Sequence, residues 1–155
     1  MTHFTGAHAG RLDTKGRLLV PKPFRDLLQS LVPPGAPSLR LRPSDKEHCL
    51  EAWPIPEFNT YSARILAKLA DDEAAADDFN VIFHWPALEI EPDGDGRLKL
   101  PVNFIAHAGL RNDVMFLGSG SIFQIWSKDG ANARMARAAA NRGTNAPPLV
   151  ATGDA

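Results

Sequence analysis

The segment Asp13-Thr-Lys-Gly-Arg-Leu-Leu-Val-Pro-Lys-Pro-Phe24 decides the fold of this chain, because it occurs twice. At an offset of 80 residues it aligns with Asp93-Gly-Asp-Gly-Arg-Leu-Lys-Leu-Pro-Val-Asn-Phe104, and six positions are identical: Asp, Gly, Arg, Leu, Pro and Phe. Further along, Leu50-Glu-Ala-Trp53 aligns with Phe123-Gln-Ile-Trp126 at an offset of 73. A unit that occurs only twice is too short for a solenoid. The duplication therefore predicts two halves that close one core about a pseudo-two-fold axis.

Each half is predicted to be a small α+β unit that starts with a β-hairpin. In the first half, extended runs at 11–13 and 17–20 flank a turn in which Gly16 supplies a positive φ, and the same pattern surrounds Gly96. A proline then occupies the first turn of a helix in each half, and Gly109 is a natural stop for the second helix. The predicted helices and strands are Phe24–Leu31, Val102–Ala108, Ser38–Arg42, Cys49–Trp53, Val114–Leu117 and Ser121–Trp126.

A helical insert separates the two halves. Apolar residues from Phe58 to Leu69 recur at helical spacing, and a second helix is predicted over residues 72–84, ending before Pro86. The boundaries give one domain over residues 1–130, with the first repeat at about 4–55, the insert at about 56–86 and the second repeat at about 87–127. Residues 131–155 are expected to form a weakly structured C-terminal tail, with a frayed helix over residues 132–141 and almost no apolar area to bury from residue 143 onward.

Length and composition fit one globular domain. The chain has 155 residues, of which 44% are apolar and 23% charged, and these fractions exclude collagen, coiled coil and wholesale disorder. We find neither an apolar stretch of ~20 residues nor a secretory signal. A single cysteine cannot form an internal disulfide, so we expect a cytoplasmic protein without membrane contact.

Charge is distributed unevenly along the chain. The net charge is −1, yet residues 1–42 carry seven cations and two carboxylates, a net of +5, and the remainder carries −6. A basic surface of this kind can neutralise the phosphates of a nucleic acid, whereas the total charge alone argues against such a partner. The sequence thus predicts one basic and one acidic face.

The first predicted hairpin carries the basic charge at its turn. A two-stranded ribbon fits the ~12 Å major groove of B-DNA, where Lys15 and Arg17 can approach phosphates or a guanine edge. An equally weighted alternative is that Arg17 only pairs with Asp13 across the turn, since surface ion pairs are common. Asp13 is assigned a structural role because its oxygens can accept hydrogen bonds from turn N–H groups and orient Arg17.

The second hairpin provides a contrast. It repeats the Asp and Arg as Asp93 and Arg97, but Asp95 stands where the first hairpin has Lys15, so its local charge is −1 instead of +1. We therefore expect a scaffold or subunit-contact role for Asp93 and Arg97. Whether Arg97 also reaches a phosphate stays open.

The chain resembles the MraZ family. The resemblance lies in Leu12-Asp-Thr-Lys-Gly-Arg-Leu-Leu-Val-Pro-Lys-Pro-Phe-Arg25, the Cys49-Leu-Glu-Ala-Trp-Pro54 strand, the second hairpin and the run from Ala108 to Trp126. It spans roughly residues 4–126 in the right order. The resemblance implies an α+β fold in which two AbrB-like hairpin and helix halves form a double-split β-barrel, with ring-shaped homo-oligomers.

The function implied by the resemblance is sequence-specific binding of double-stranded DNA. The family regulates transcription of the bacterial division and cell-wall gene cluster, so the expected protein is a nucleoid-associated repressor that binds repeated operator sites upstream of its own genes. The candidate DNA-binding residues are Lys15, Arg17, Arg11 and Lys22. The residues that shape the two turns are Asp13, Gly16, Asp93, Gly96 and Arg97.

Two other functional classes have recognisable sequence requirements. An AbrB-like antitoxin that binds both operator DNA and a toxin is the alternative, although such proteins usually carry one hairpin unit and not two. A metal-dependent hydrolase would need clustered histidines and carboxylates, and the five histidines have no i, i+4 or Cys-x-x-Cys arrangement. We therefore predict no catalysis, no cofactor, no metal and no small-molecule substrate.

Overall fold

The computed structural model describes residues 3–35 and 38–142 as a mixed α and β structure. The strands are β1 (Ala7–Arg11), β2 (Arg17–Leu19), β3 (Leu39–Pro43), β4 (Leu50–Pro54), β5 (Leu88–Ile90), β6 (Arg97–Lys99), β7 (Asp113–Gly118) and β8 (Phe123–Ser127). The helices are α1 (Lys22–Leu31), α2 (Ile55–Lys68), α3 (Glu73–Phe79), α4 (Val102–Ala108) and α5 (Lys128–Arg142). A π-helical turn, Asn80–His84, continues α3.

The strand order reveals the internal symmetry. Six antiparallel strands form one sheet in the order β1-β7-β8-β4-β3-β5, and β2 pairs with β6 in a separate two-stranded ladder. Strands β1 to β4 correspond to β5 to β8 in the other half. When each strand is exchanged for its counterpart, the order of the sheet is the same read from the opposite end. The first strand of each half pairs with the third strand of the other half, so neither half completes its sheet alone. The pseudo-two-fold arrangement of the halves follows directly from this pairing.

Strand register locates the pseudo-two-fold axis. Leu18 lies opposite its own counterpart, Leu98, at the centre of the β2–β6 ladder. Glu51 likewise lies opposite its counterpart, Gln124, at the centre of the β4–β8 pairing. Leu18 and Leu98 are fully buried and belong to a single core that also takes in Phe24 from α1. The ladder and the sheet therefore pack around one hydrophobic core.

The two predicted hairpins are not ladders of their own, which corrects that part of the expected fold. Residues 12 and 18 form one isolated bridge, and Gly16 N–H donates to the carbonyl of Asp13 at 3.1 Å to close the turn. Strand β1 begins at Ala7 and pairs over five residues with β7. Strand β1 pairs with β7 and not with β2, because the longer pairing satisfies more backbone N–H and C=O groups than a local hairpin could.

The helical predictions are confirmed, with small shifts at the ends. Helix α4 ends at Gly109, which adopts the left-handed conformation at φ 61°. In the insert, Asp72 caps α3 by accepting the N–H of Ala75 at 3.1 Å. Among the described residues, no helix combines the length and apolar character needed to cross a bilayer.

The frayed helix expected over residues 132–141 is longer and better anchored than the sequence predicts, since α5 spans Lys128–Arg142. Helix α5 reaches Arg142 because Ala131 is buried against the sheet and because two arginines, Arg134 and Arg137, pair with Glu47 at 3.1 and 2.7 Å. Sequence reasoning missed these contacts since Glu47 lies 87 residues away from the nearer arginine. Residues 143–155 lie outside the described part of the chain, so the prediction for them stays a prediction.

A candidate nucleic-acid interface

A basic groove lies where the two halves interlock. Strand β1, the Asp13 turn, β2 and the start of α1 line it, and Arg97 joins them from the second half. The groove has a volume of about 750 Å³. Its charged lining consists of five cations and one carboxylate, which are Arg11, Arg17, Lys22, Arg25, Arg97 and Asp13. Such a surface attracts polyanions.

Antiparallel pairing of β2 with β6 brings the two halves into one groove. Arg17 lies opposite Lys99, and Arg97 lies opposite Leu19. The amide of Val20 donates to the carbonyl of Gly96 at 3.0 Å, which joins the end of β2 to the second turn. Arg17 and Arg97 are 80 residues apart in sequence, yet they contribute cations to the same surface.

The carboxylate of Asp13 organises the first turn. Its Oδ1 accepts the backbone N–H groups of Lys15 and Arg17 at 2.8 and 2.9 Å. Its Oδ2 accepts the Nε of Arg17 at 2.9 Å. Three donors hold the pKa of Asp13 below its usual range. The largest effect comes from the N–H of Arg17, then from the guanidinium of Arg17, then from the N–H of Lys15. Both features anticipated for Asp13, pairing with Arg17 and acceptance of turn N–H groups, thus occur together.

The second turn has the same backbone but a different arginine environment. Asp93 accepts the N–H groups of Asp95 and Arg97 at 2.9 and 3.0 Å, and these bonds, led by that from Arg97, lower the pKa of Asp93. The guanidinium of Arg97, however, lies 3.7 Å from Asp95. Arg97 is therefore held less firmly than Arg17, whose Nε bond fixes the plane of its guanidinium.

Three further cations complete the groove. Arg11 pairs with Asp113 at 3.4 Å and Lys22 with Asp26 at 2.8 Å, and both cationic side chains are 74% exposed. Exposed ion pairs of this kind are weak, so a phosphate can replace the carboxylate partner. Arg25 packs across the second turn, where a Cβ on Gly96 would lie 2.7 Å from the Cδ of Arg25.

Lys15 is the one predicted DNA-binding residue that does not line the groove. It lies exposed at the tip of the first turn, where its carbonyl accepts a hydrogen bond from the ammonium of Lys99. Arg25, in contrast, lines the groove without having been predicted. Its position three residues after Lys22 on α1 could have indicated it, because residues with this spacing share a helix face.

Among residues 3–35 and 38–142, His, Cys, Asp and Glu side chains do not gather in groups of three or more that could hold an ion. The cysteine thiol is also far from reactive, because burial just before strand β4 raises the pKa of Cys49 to about 12. The groove is thus characterised by charge and shape.

Known proteins resemble this chain over most of its length. Transcriptional regulator MraZ of Gluconobacter oxydans is 35% identical over 137 residues, which is 86% of this chain and 81% of the relative. The protein of the same name from Gluconacetobacter diazotrophicus is 36% identical over 140 residues, 89% and 87% of the two chains. The one from Marinobacter nauticus is 32% identical over 141 residues, covering 91% and 92%. This chain belongs to the MraZ family.

The match to the MraZ family model adds detail about the second half. The model, described as "MraZ protein, putative antitoxin-like", covers residues 83–143. That range includes the second Asp and Arg turn, strands β6 to β8 and helix α5. The MraZ relatives align over 86–91% of this chain, so their likeness extends beyond the range that the family model covers.

Proposed function

We propose that this protein is a sequence-specific DNA-binding regulator of transcription that represses the bacterial division and cell-wall gene cluster. The observation that carries the proposal is the groove in which cations of both halves surround a single carboxylate. Family membership supports it, because the MraZ relatives are named transcriptional regulators. The proposed site of action is the bacterial cytoplasm, in association with the nucleoid.

Arg17 is the proposed principal contact. Its Nε donates to Asp13, which leaves the two terminal nitrogens of the guanidinium to an incoming acceptor. A guanidinium fixed in this way can form a bidentate pair with the O6 and N7 of a guanine or grip a phosphate. Asp13 thereby orients the arginine and does not itself contact the DNA, since phosphate repels a carboxylate.

The remaining cations are proposed to position the duplex. Arg11, Lys22 and Arg25 would contact phosphates, which carry no sequence information but fix the register of the protein on the DNA. Arg97 is proposed as a secondary contact, because it lines the same groove without the Nε bond that orients Arg17. Lys15, at the tip of the turn, would reach the backbone beside the groove.

The interlocked halves also support the double-split β-barrel implied by the resemblance. Each half donates its first strand to the other, and the β2–β6 ladder shares the hydrophobic core of the six-stranded sheet. We propose that this arrangement is the barrel of the family. This arrangement makes the first turn rigid, because the turn lies between β1, which pairs with β7, and β2, which pairs with β6. A rigid turn holds Arg17 in a defined direction.

A closed homo-oligomeric ring is the proposed assembly. Several copies in one ring would present several grooves, so a run of repeated operator sites could bind with a gain in avidity and without any new kind of contact. Sedimentation at low micromolar concentration should show several subunits. A concentration-independent monomer that binds DNA would contradict the ring.

The direct test of function is a titration of DNA from upstream of the protein's own gene at fixed salt. Fluorescence anisotropy should show binding of this DNA at a concentration that leaves a scrambled duplex of equal length free. A reporter driven by the same upstream DNA should then fall in the presence of the protein. Equal affinity for both duplexes would refute sequence-specific binding, and unchanged reporter output would refute repression.

An antitoxin is the second candidate, supported by the words "antitoxin-like" in the description of the family model. The two candidates differ in their neighbours on the chromosome. Cell-wall and division genes beside this gene support the regulator, whereas a small toxin gene whose product co-purifies with this protein supports the antitoxin. The complete second half, with its own turn and helix, favours the regulator because the known antitoxins of this type usually need one unit.

A further inference from the structure

The end of the helical insert presents an apolar surface to solvent. Val81 and Ile82 are 42% and 50% exposed, Trp85 is 75% exposed, and Leu88, at the start of β5, is 45% exposed. Residues 81, 82 and 85 lie on one face of a helical turn because of their spacing. We call these four residues the insert patch.

The insert patch is not explained by the packing of the insert itself. Phe83 from the same turn is buried against Trp53 and Phe58. The ring of His84 forms hydrogen bonds with the side chains of Ser62 and Asn80, each at 2.8 Å. The inner face of the turn therefore has its partners already. An exposed cluster of large apolar side chains on the opposite face is typical of an interaction surface.

Charge around the insert patch indicates the chemistry of its partner. Residues 69–96 contain nine carboxylates and no lysine or arginine. Glu89 is paired with Arg40 at 3.3 Å, while the acids of α3 are exposed. An apolar patch within an acidic segment fits a partner surface that is apolar at its centre and basic around it.

Helix α5 of the same chain offers such a surface. Met135 is 60% exposed, and alanines at 133, 136, 139 and 140 are exposed with it. After Asp129 in its first turn, α5 carries Arg134, Arg137 and Arg142 and no further carboxylate. Arg134 and Arg137 pair with Glu47, but their side chains are still 40% and 52% exposed and can meet a second carboxylate. The outer face of α5 is thus apolar at its centre with basic neighbours, the complement of the insert patch.

The internal symmetry provides an independent reason for matching these two surfaces. Helix α2 follows β4 as α5 follows β8, so the two helices are counterparts. The insert covers α2, where Tyr61 contacts Phe79 and Phe83 through their rings. The equivalent outer face of α5 has no such cover among the described residues. A second helical segment against α5 would complete the symmetry.

The two surfaces belong to different parts of the sheet. Helix α5 packs on β7 and β8, whereas the insert patch continues into β5, the strand at the far end of the sheet order. One copy can therefore contact a second through its insert patch and a third through α5. Such a head-to-tail contact closes into a ring when the rotation between copies is a whole fraction of a turn.

We propose that the insert patch of one copy docks on the outer face of α5 of the next copy, and that this contact builds the oligomer. The inference rests on the proposed assembly and adds the surfaces that make it. The insert of each copy then lies between its own α2 and the neighbour's α5. The DNA groove lies outside both surfaces, since neither Trp85 nor Met135 lines it.

Two charge variants test the contact. Trp85→Lys places a cation against the neighbour's basic helix, and Met135→Glu places a carboxylate against the neighbour's acidic insert. Both side chains are mostly exposed, so the variants should fold, which circular dichroism and the melting temperature verify. We expect each variant alone to sediment as a single subunit. An equimolar mixture should sediment as pairs, because the intact insert patch of Met135→Glu can dock on the intact α5 of Trp85→Lys.

The matched control is Val102→Lys on α4, an apolar residue that is 83% exposed outside both surfaces. It should sediment like the parent. The inference is wrong if both variants assemble like the parent. It is also wrong if only one of the two variants dissociates, or if the control dissociates and the two variants do not. If a chain that ends at Arg142 fails to assemble, residues 143–155 contact the insert patch in place of α5, and docking on α5 is refuted. A monomeric parent would refute the ring and this contact together, whereas an oligomeric parent with indifferent variants refutes this contact alone.

Discussion

Removal of the Arg17 guanidinium should weaken operator binding more than removal of any arginine outside the groove. Suppose that two or three subunits of a ring contact consecutive sites and that each neutralises about two phosphates. The number of released counterions is then about 4–6, and log K should fall against log salt with a slope of about −4 to −5. Arg17→Ala removes one contact in every engaged subunit. The slope should therefore become shallower by about 2 to 3.

The affinity loss follows from the same repetition. A single arginine contact is worth ~1–2 kcal/mol, so two or three of them amount to ~2–6 kcal/mol, or about 30-fold to 10⁴-fold in affinity. Arg17→Lys keeps the charge but loses the planar fork that Asp13 orients. We expect it to retain the salt slope and to lose discrimination between operator and scrambled DNA. Arg97→Ala should cost less than Arg17→Ala, because Arg97 lacks the Nε bond.

The assay is a titration of each variant against the upstream DNA at several salt concentrations, with sedimentation run in parallel to confirm an intact oligomer. Arg111→Ala is the matched control, since Arg111 is an exposed arginine that does not line the groove. It should bind like the parent. If Arg17→Ala binds like the parent while Arg97→Ala fails as an intact oligomer, the principal contact belongs to the second half. If neither variant matters, the groove is not the DNA interface.

Three further changes give distinct readouts. Truncation after Arg142 should leave the melting temperature and DNA affinity nearly unchanged, because residues 143–155 offer little apolar area to bury, and a large loss of either would refute this. Gly96→Ala should lower the melting temperature more than Gly16→Ala and should also weaken DNA binding: both glycines have positive φ, but only at Gly96 must a groove cation, Arg25, move aside for the new methyl group. Asp13→Asn should lose less stability in acid than the parent does. In the parent, the turn N–H groups hold the folded pKa of Asp13 below 3.8, so the ionised carboxylate stabilises the fold above that pH and this stabilisation is lost as pH falls through the folded pKa. The asparagine has no carboxylate to protonate. Parallel melting curves of parent and variant at acid and neutral pH test this, and identical acid sensitivity would contradict it.

Local chemistry explains which features the sequence predicts. The Asp and Gly of each turn specify the backbone without help from distant residues, because the carboxylate accepts N–H groups only two and four positions ahead. The start of α1 after proline and the end of α4 at Gly109 are equally local. The repeat at an offset of 80 then predicts two related halves. The turns and helix ends are predictable because each depends on residues within one turn of the chain. The repeat is predictable because the chain can be aligned with itself.

Long-range pairing decided the rest. The sequence predicts two separate hairpins, with local charges of +1 and −1, and assigns Arg97 to a scaffold or subunit-contact role. The structure instead pairs β2 with β6 and β1 with β7, so Arg97 and Arg17 line one groove together with Arg25. Nothing in the local pattern favours a strand partner 80 residues away over a neighbour across the turn. The full length of helix α5 was missed for a similar reason: a frayed helix is predicted over residues 132–141, but the ion pairs with Glu47 that anchor it are long-range.

The sequence by itself therefore determined the duplicated unit, the geometry of each Asp and Arg turn and the position of most helices and strands. Only the tertiary structure decided which strands exchange between the halves and, through them, which cations share a surface. The physical reason is that turns and caps are satisfied by neighbours in the chain, whereas a β-strand satisfies its backbone groups with whichever partner completes the buried core. In this protein that partner lies in the other half, so the groove exists only after both halves have folded together.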